Sequence, residues 1–296
     1  MIVTEESKDV TTCFFVSDLH GRVERYEKLF HAIGEERPVA VLLGGDLLPF
    51  GGFATWDAGP GQDDFIRDFL AAGFETLRAR LGEAYPAVFL ILGNDDPRAE
   101  ESAVIEIGRT DLWRYAHGSR LDLGALSLYG YSYVPPTPFM LKDWERYDVS
   151  RFVDPGCVSP EEGRRTVPVE PQDSRYATIQ ADLDDLSGDA DQSDSVWLFH
   201  TPPYRTHLDR AALDGKKIDH VPLDTRVGSI AVRRFIETRQ PLVTLHGHVH
   251  ESARLTGSWR DRIGRAHLFS AAHDGPELAL VRFALEDPAG ATRELL

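Results

Sequence analysis

The sequence predicts an α/β fold, and two observations carry that prediction. Short, almost wholly apolar runs bounded by Gly, Pro or polar residues recur along the chain, and stretches of helical periodicity lie between them. The run at 13–16 (Cys-Phe-Phe-Val) reads as a buried strand, followed by a helical pattern over 23–33. Residues 39–43 repeat the apolar signal, a second helical pattern covers 63–81, and 87–92 is again continuously apolar, as strands covered on both faces are. The stretch 125–134 (Ala-Leu-Ser-Leu-Tyr-Gly-Tyr-Ser-Tyr-Val) supplies a further strand, before helical periodicity over 176–186. Then come a strand at 196–199, a helix at 229–238 and a strand at 242–245. Segments 266–269 and 278–283 complete the strand set and, with 125–134, are expected to include those of a second sheet.

Three stretches read as connections. Residues 49–61 are rich in Gly and carry Phe53 and Trp56, 135–171 holds many of the prolines, and 202–228 follows His200. They are long enough to wall or cover a site, or to serve as plain surface connections. The acidic stretch 182–194 lacks the spacing of an EF-hand loop and reads as a solvated helix end and loop.

Composition narrows the function. With 42 % hydrophobic and 27 % charged residues in 296, the chain has the means to build a sizeable core, and one domain over 1–296 is expected. A formal charge of -16 repels a polyanion, so an extended nucleic-acid partner is disfavoured while a small phosphate ester held by local charge is not. Cys13 and Cys157 form no Cys-x-x-Cys pair, the N-terminus has no apolar leader, and no run reaches membrane-spanning length; a cytoplasmic protein is expected. Nothing in the sequence speaks to oligomeric state.

Chemistry enters at the strand ends. Asp18, His20, Asp46, Asn94, His200, His248 and His250 each fall at or just past the end of an expected strand. Singly they have plain readings: Asp18 as a helix cap, Gly45-Asp46 and Gly93-Asn94 as turns, His200 as a core histidine. Together, five strand ends delivering carboxylate, imidazole and amide groups point to a metal site, since ligands of open α/β sheets bind beyond the carboxyl ends of the strands.

The order Asp-x-His, Gly-Asp, Gly-Asn, His, Gly-His-x-His resembles the calcineurin-like metallophosphoesterase superfamily over most of the chain. His-Thr-Pro-Pro-Tyr at 200–204, Val-Gly-Ser-Ile-Ala-Val at 227–232 and Gly-His-Val-His-Glu at 247–251 further resemble its Icc-related phosphohydrolases. The resemblance implies a four-layer sandwich of two mixed β-sheets flanked by helices. It also implies two divalent ions, one held by Asp18, His20 and His250, the other by Asn94, His200 and His248, with Asp46 bridging them. Mixed nitrogen and oxygen donors suit Mn, Fe, Zn, Co or Ni. A phosphoric ester hydrolase working through a metal-bridging water is expected, with phosphodiesters ahead of monoesters. The alternative is a catalytically weak metal-binding scaffold or interaction protein of the same fold.

One position departs from the family. Its motif has His after Gly-Asn, a residue that commonly helps protonate the leaving oxygen; here Asp95 stands there. Beside a net positive site its pKa is expected to be depressed, which makes it a poor proton donor. Asp96 is expected to orient a ligand histidine or to cap the turn. Arg205, His207 and Arg226 are candidates for phosphate contact or for surface salt bridges, and His246 and His273 have no assigned role. No Gly-x-Ser-x-Gly, His-Glu-x-x-His or phosphate-loop motif is present.

Overall fold

A computed structural model describes residues 11–49 and 64–296. In chain order the elements are β1 (Thr12–Val16), α1 (Val23–Glu36), β2 (Ala40–Gly44), a π-helical turn (Phe65–Ala71) running into α2 (Ala72–Leu81), β3 (Ala87–Ile91), α3 (Glu101–Gly108) and β4 (Arg114–Tyr115). There follow β5 (Ser119–Leu123), β6 (Leu126–Tyr131), α4 (Pro171–Tyr176), α5 (Ile179–Ser187), β7 (Ser195–Phe199), β8 (Lys217–Ile218), β9 (Val221–Pro222) and α6 (Ile230–Arg239). The chain closes with β10 (Val243–His246), α7 (Ser252–Thr256), β11 (Arg260–Ile263), β12 (Ala266–Ser270), β13 (Ala279–Ala284) and β14 (Thr292–Leu295). The expected loop at 49–61 falls, apart from Pro49, outside the described residues.

Two six-stranded sheets form, in the orders β14-β13-β1-β2-β3-β4 and β11-β12-β10-β7-β6-β5. Both are mixed. In the first, β1 to β4 are parallel, β13 is antiparallel to β1 and β14 antiparallel to β13; in the second, β6, β7, β10 and β12 are parallel while β5 and β11 are antiparallel edges. Period-two alternation sorts the apolar runs into layers. Cys13, Phe15, Leu42 and Phe89 from the first sheet meet Val196, Leu198, Leu245 and Phe269 from the second in one buried cluster. Phe14, Val16, Val41 and Leu43 point the other way and pack with Tyr26, Leu29 and Ile33 of α1 and with Phe74 and Leu77 of α2. The result is the expected α/β sandwich of two mixed sheets flanked by helices.

Side-chain caps set the starts of α5 and α6. Thr178 accepts a hydrogen bond from the Ala181 N–H at 3.2 Å, so α5 begins at Ile179 rather than at 176. Ser229 caps α6 through the Val232 N–H at 3.0 Å. Its own hydroxyl donates to Asp148 at 2.5 Å, which also receives the Ile230 N–H at 2.6 Å. This contact helps to anchor the 135–171 stretch, as do single bridges, the Trp144 indole N–H donating to Asp96 O at 2.9 Å, and a fully buried pair, Lys142 Nζ to Glu145 Oε2 at 2.5 Å. The 202–228 stretch contains the small ribbon β8–β9. Asp182, expected to be solvated, instead receives Arg146 at 2.6 Å and the Tyr131 hydroxyl at 2.5 Å. The helix carries it back over the β6 end, where these donors lie.

Candidate metal centre

The parallel strands of both sheets deliver the seven candidate ligands to one edge. Asp18 and His20 follow β1, Asp46 follows β2, Asn94 follows β3, His200 leaves β7 directly, and His248 and His250 follow β10. The β1–β2 ladder continues past the strands, with the Asp18 N–H donating to Gly45 O at 2.9 Å and the His20 N–H to Asp46 O at 2.8 Å. These bonds hold Asp18, His20 and Asp46 at φ 57°, 48° and 52°; His248 lies at 73°. Left-handed backbone at non-glycine residues persists where surrounding structure over-determines it. Gly45, at φ 91°, has a second reason to be glycine, since a Cβ there would lie 2.8 Å from His200 Nδ1.

Donor atoms of six of the seven candidates converge, in two groups that share Asp46. In the first, one atom from each of Asp18, His20, Asp46 and His250 lies within 4.8 Å of the others. His20 Nε2 is 3.2 Å from His250 Nε2, and His250 Nε2 is 3.3 Å from Asp18 Oδ1. In the second, His200 Nε2 is 3.0 Å from Asn94 Oδ1 and 3.2 Å from Asp46 Oδ2. The same Asp46 oxygen is 4.0 Å from His20 Nε2, so it faces both groups. His248 sets its ring 5.3 Å from that of His200, centroid to centroid, and its N–H donates to Asp18 Oδ1 at 2.9 Å. Separations near 3 Å are those of neighbouring ligands on an ion with bonds of about 2.0–2.2 Å, so the donor set fits divalent metal. His200 Nδ1 faces Gly44 O at 2.8 Å and donates to it, which turns Nε2 toward Asn94 and Asp46.

The electrostatics describe a cluster that wants cations. Burial would raise the Asp18 carboxyl, but the hydrogen bond and charge of His250, with His200 and His20 behind, hold it far below the carboxylate range. Burial opposes ionisation of Asp46 too, yet His200 and His20 bring it down to about 2. Burial works against the His200 imidazolium, and Asp46 followed by Asp18 overcomes this and pushes it up to about 10. His250 is raised by Asp18 against burial, whereas burial keeps His20 low and His248 at about 3. The positive charge that the carboxylates favour on His200, and the upward push on His250, are what a divalent ion would replace on binding.

Asp95 and Asp96 have different surroundings. The Asp95 N–H donates to Asp46 Oδ1 at 2.8 Å, its Oδ1 accepts from Asn94 Nδ2 at 3.2 Å, and its Oδ2 lies 3.8 Å from His20 Nδ1. Burial first, then the Asp46 charge, push its carboxyl up to about 7, opposite to the shift that the full positive charge of loaded ions is expected to cause. Asp96 accepts the N–H groups of Leu47 at 2.9 Å, Leu48 at 2.7 Å and Gly93 at 2.8 Å. Both its oxygens serve backbone donors, so it fastens the β2 exit to the β3 exit as a turn cap. His207 pairs with Asp261 at 3.0 Å and Arg226 with Asp209 at 3.1 Å, while Arg205 stacks on Tyr204; these are structural contacts.

His246 is a core histidine. Its ring is fully buried and stacks on Phe199; Nδ1–H donates to Thr201 O at 2.9 Å and Nε2 accepts from the Thr244 hydroxyl at 2.7 Å. Burial depresses it from 6.5 to about 3. Below 6.5 the unfolded chain therefore binds a proton that the folded chain refuses, and stability falls as pH drops from 6.5 toward 3. In metal-stripped protein, the urea-measured stability deficit of His246→Phe against wild type should shrink by about 2 kcal/mol between about pH 7.5 and pH 5. A constant deficit would show that His246 does not titrate this way. His273 sits 2.9 Å from Glu277.

Two residues beside the centre carry no sequence mark. The Ser17 hydroxyl donates to Asp18 Oδ2 at 2.5 Å, and the Arg25 guanidinium donates to Asp18 O at 2.5 Å.

The sequence profile described as calcineurin-like phosphoesterase matches residues 12–252. No curated protein matches the chain. A solved structure of TT1561 from Thermus thermophilus is 18 % identical, covers 97 % of this chain and 99 % of its own, and superposes with a TM-score of 0.53. A second crystal structure, 15 % identical with the same coverages of 97 % and 99 %, gives 0.58. These likenesses show a shared fold. Among the described residues no helix is long and apolar enough to cross a membrane.

Proposed function

Since the chain belongs to the calcineurin-like phosphoesterase family, we propose that it is a dinuclear-metal-dependent phosphohydrolase acting on a small phosphate ester, with phosphodiesters ahead of monoesters. The observation that carries the dinuclear reading is the Asp46 Oδ2 atom, which lies 3.2 Å from His200 Nε2 and 4.0 Å from His20 Nε2. Asp18, His20 and His250 would hold one divalent ion, Asn94, His200 and His248 the other, and Asp46 both. When bound, the ions supply positive charge to the phosphoryl oxygens and acidify the attacking water. Two carboxylates against two divalent ions leave about two positive charges, a hole suited to phosphate and to its more highly charged transition state.

The remaining work falls to the protein. The left-handed turns and the bonds to Gly44, Gly45 and Asp46 backbone pre-set the ligand directions, so little reorganisation accompanies reaction. Asp95, a quarter exposed and 3.8 Å from His20 Nδ1, would be the residue that faces the leaving group. The preference for diesters rests on the Icc-like segments at 200–204, 227–232 and 247–251. Mn, Fe, Zn, Co or Ni fits the donors, with Mn²⁺ the working choice. We treat the protein as one domain, because ligands from both sheets would make a single centre. Asp95 in place of the usual His is the feature that favours the second reading, a metal-binding scaffold with weak catalysis.

The test is hydrolysis of a chromogenic phosphodiester by metal-stripped protein before and after Mn²⁺ is restored. Turnover that appears only with the ion is the expected result. Silence on both diester and monoester probes with two ions bound would favour the scaffold.

A further inference from the structure

We infer that Arg25 is a positioning residue for the metal centre, holding the Asp18 backbone so that the half-site of Asp18, His20 and His250 is formed before any ion arrives. The inference rests on the dinuclear reading above. Arg25 is the third residue of α1 and is 4 % exposed, so its guanidinium has given up nearly all of its hydration. It recovers hydrogen bonds from backbone carbonyls: Nη1 donates to Asp18 O at 2.5 Å, Nη2 to Gly275 O at 2.5 Å and Nε to Pro276 O at 3.4 Å. Gly275 and Pro276 belong to the connection between β12 and β13, and β13 is the antiparallel neighbour of β1. One side chain therefore ties three segments together: the turn bearing two ligands, the helix after it, and the return to the adjacent strand.

Asp18 is held from every side as a consequence. Its N–H donates to Gly45 O at 2.9 Å, its carbonyl accepts Arg25, its Oδ2 accepts the Ser17 hydroxyl at 2.5 Å and its Oδ1 the His248 N–H at 2.9 Å. The residue sits at φ 57°, a conformation that an aspartate leaves readily unless both flanking peptides are fixed. The N–H side is fixed by the β2 exit; the carbonyl side is fixed by Arg25. The planar fork matters, because two parallel N–H groups reach carbonyls on separate segments, and a lysine ammonium at the end of a shorter stem cannot reproduce that geometry. The hydrogen bonds of Arg25 go to Asp18, Gly275 and Pro276, and its link to the other half-site runs only through the His248 N–H on Asp18 Oδ1, so its loss should act chiefly on the half-site of Asp18, His20 and His250.

The experiment titrates Mn²⁺ into metal-stripped wild type, Arg25→Lys and Arg25→Met by calorimetry, and follows backbone amide exchange in the same metal-free proteins. The expected result is two ions in wild type, and in both variants one ion unchanged and the other weakened about 10- to 100-fold. Exchange should quicken over residues 17–22 and not over 93–96. Equal weakening of both ions, no weakening of either, or faster exchange across both sheets would overturn the role of Arg25. A wild type that binds one ion would instead sink the dinuclear reading, and the exchange comparison would still decide whether Arg25 holds the turn. Arg25→Lys keeps the buried charge, so a folded variant remains if Arg25→Met does not fold.

Discussion

Asp46→Asn should lose at least about 10²- to 10³-fold in kcat on a phosphodiester at saturating Mn²⁺, and should retain fewer ions than wild type. The size follows from the several kcal/mol of transition-state charge stabilisation that a metal centre supplies, at about 1.4 kcal/mol per tenfold. The direction follows from the two oxygens of Asp46. Oδ1 accepts the Asp95 N–H at 2.8 Å, and Oδ2 faces His200 Nε2 at 3.2 Å and His20 Nε2 at 4.0 Å. An amide has one oxygen for these two duties. If it serves the Asp95 N–H, an NH₂ group without a free lone pair is left facing the histidines. If it turns round, donor meets donor at Asp95 and the Gly93–Asp96 turn shifts. Either arrangement also removes the charge that draws His200 upward. Metal content and kcat measured on the same samples decide the matter; full turnover by Asp46→Asn with its metal content unchanged would show that Asp46 does not bridge.

How much of this was legible in the sequence depends on the physics of each element. β1, β2, β3, β7 and β10 are buried on both faces, so they appear as unbroken apolar runs and were readable to within a residue or two. β5 (Ser-Arg-Leu-Asp-Leu), β11 (Arg-Asp-Arg-Ile) and β14 (Thr-Arg-Glu-Leu) are antiparallel edges with one wet face, and their polar residues hide them. The sheet membership of β13 was equally hidden, because its pairing with β1 joins residues at opposite ends of the chain.

The ligands were readable for a further reason. A turn that must be left-handed selects Gly, Asp and Asn, so the chemistry and the backbone demand the same short motif at Gly45-Asp46, while at Gly93-Asn94 the glycine is demanded by space, since a Cβ there would collide with Asp46 and His200. Arg25 gave no such sign: at the start of a helix with buried Tyr26 and Leu29, an arginine reads as a solvent-facing residue, and only the tertiary path of residues 275–276 buries it. The sequence alone allows Asp96 to be either a histidine-orienting group or a cap, and its three backbone donors come from the two strand exits it joins. That convergence belongs to the fold, not to the local sequence.

Asp95→His should raise kcat by about 10- to 100-fold on substrates with alkoxide leaving groups and change it little on nitrophenolate esters. General acid catalysis typically contributes about 10²- to 10⁴-fold, and only a leaving group that needs a proton reveals its absence. Asp95 stands with Oδ2 3.8 Å from His20 Nδ1 and a quarter of its side chain exposed, so on the proposed reading a side chain there would face the departing oxygen. Without ions, burial and Asp46 hold its carboxyl up at about 7. Loaded ions oppose that shift by favouring the carboxylate, which cannot donate. If burial nevertheless prevails in the loaded enzyme, wild-type kcat on alkyl esters will fall as pH rises through about 7, a limb that Asp95→Asn abolishes, and Asp95→His will then bring no gain. If instead both substitutions lower every substrate alike, the loss traces to the Asn94 Nδ2 contact at 3.2 Å, and the aspartate serves to aim a ligand rather than to move a proton.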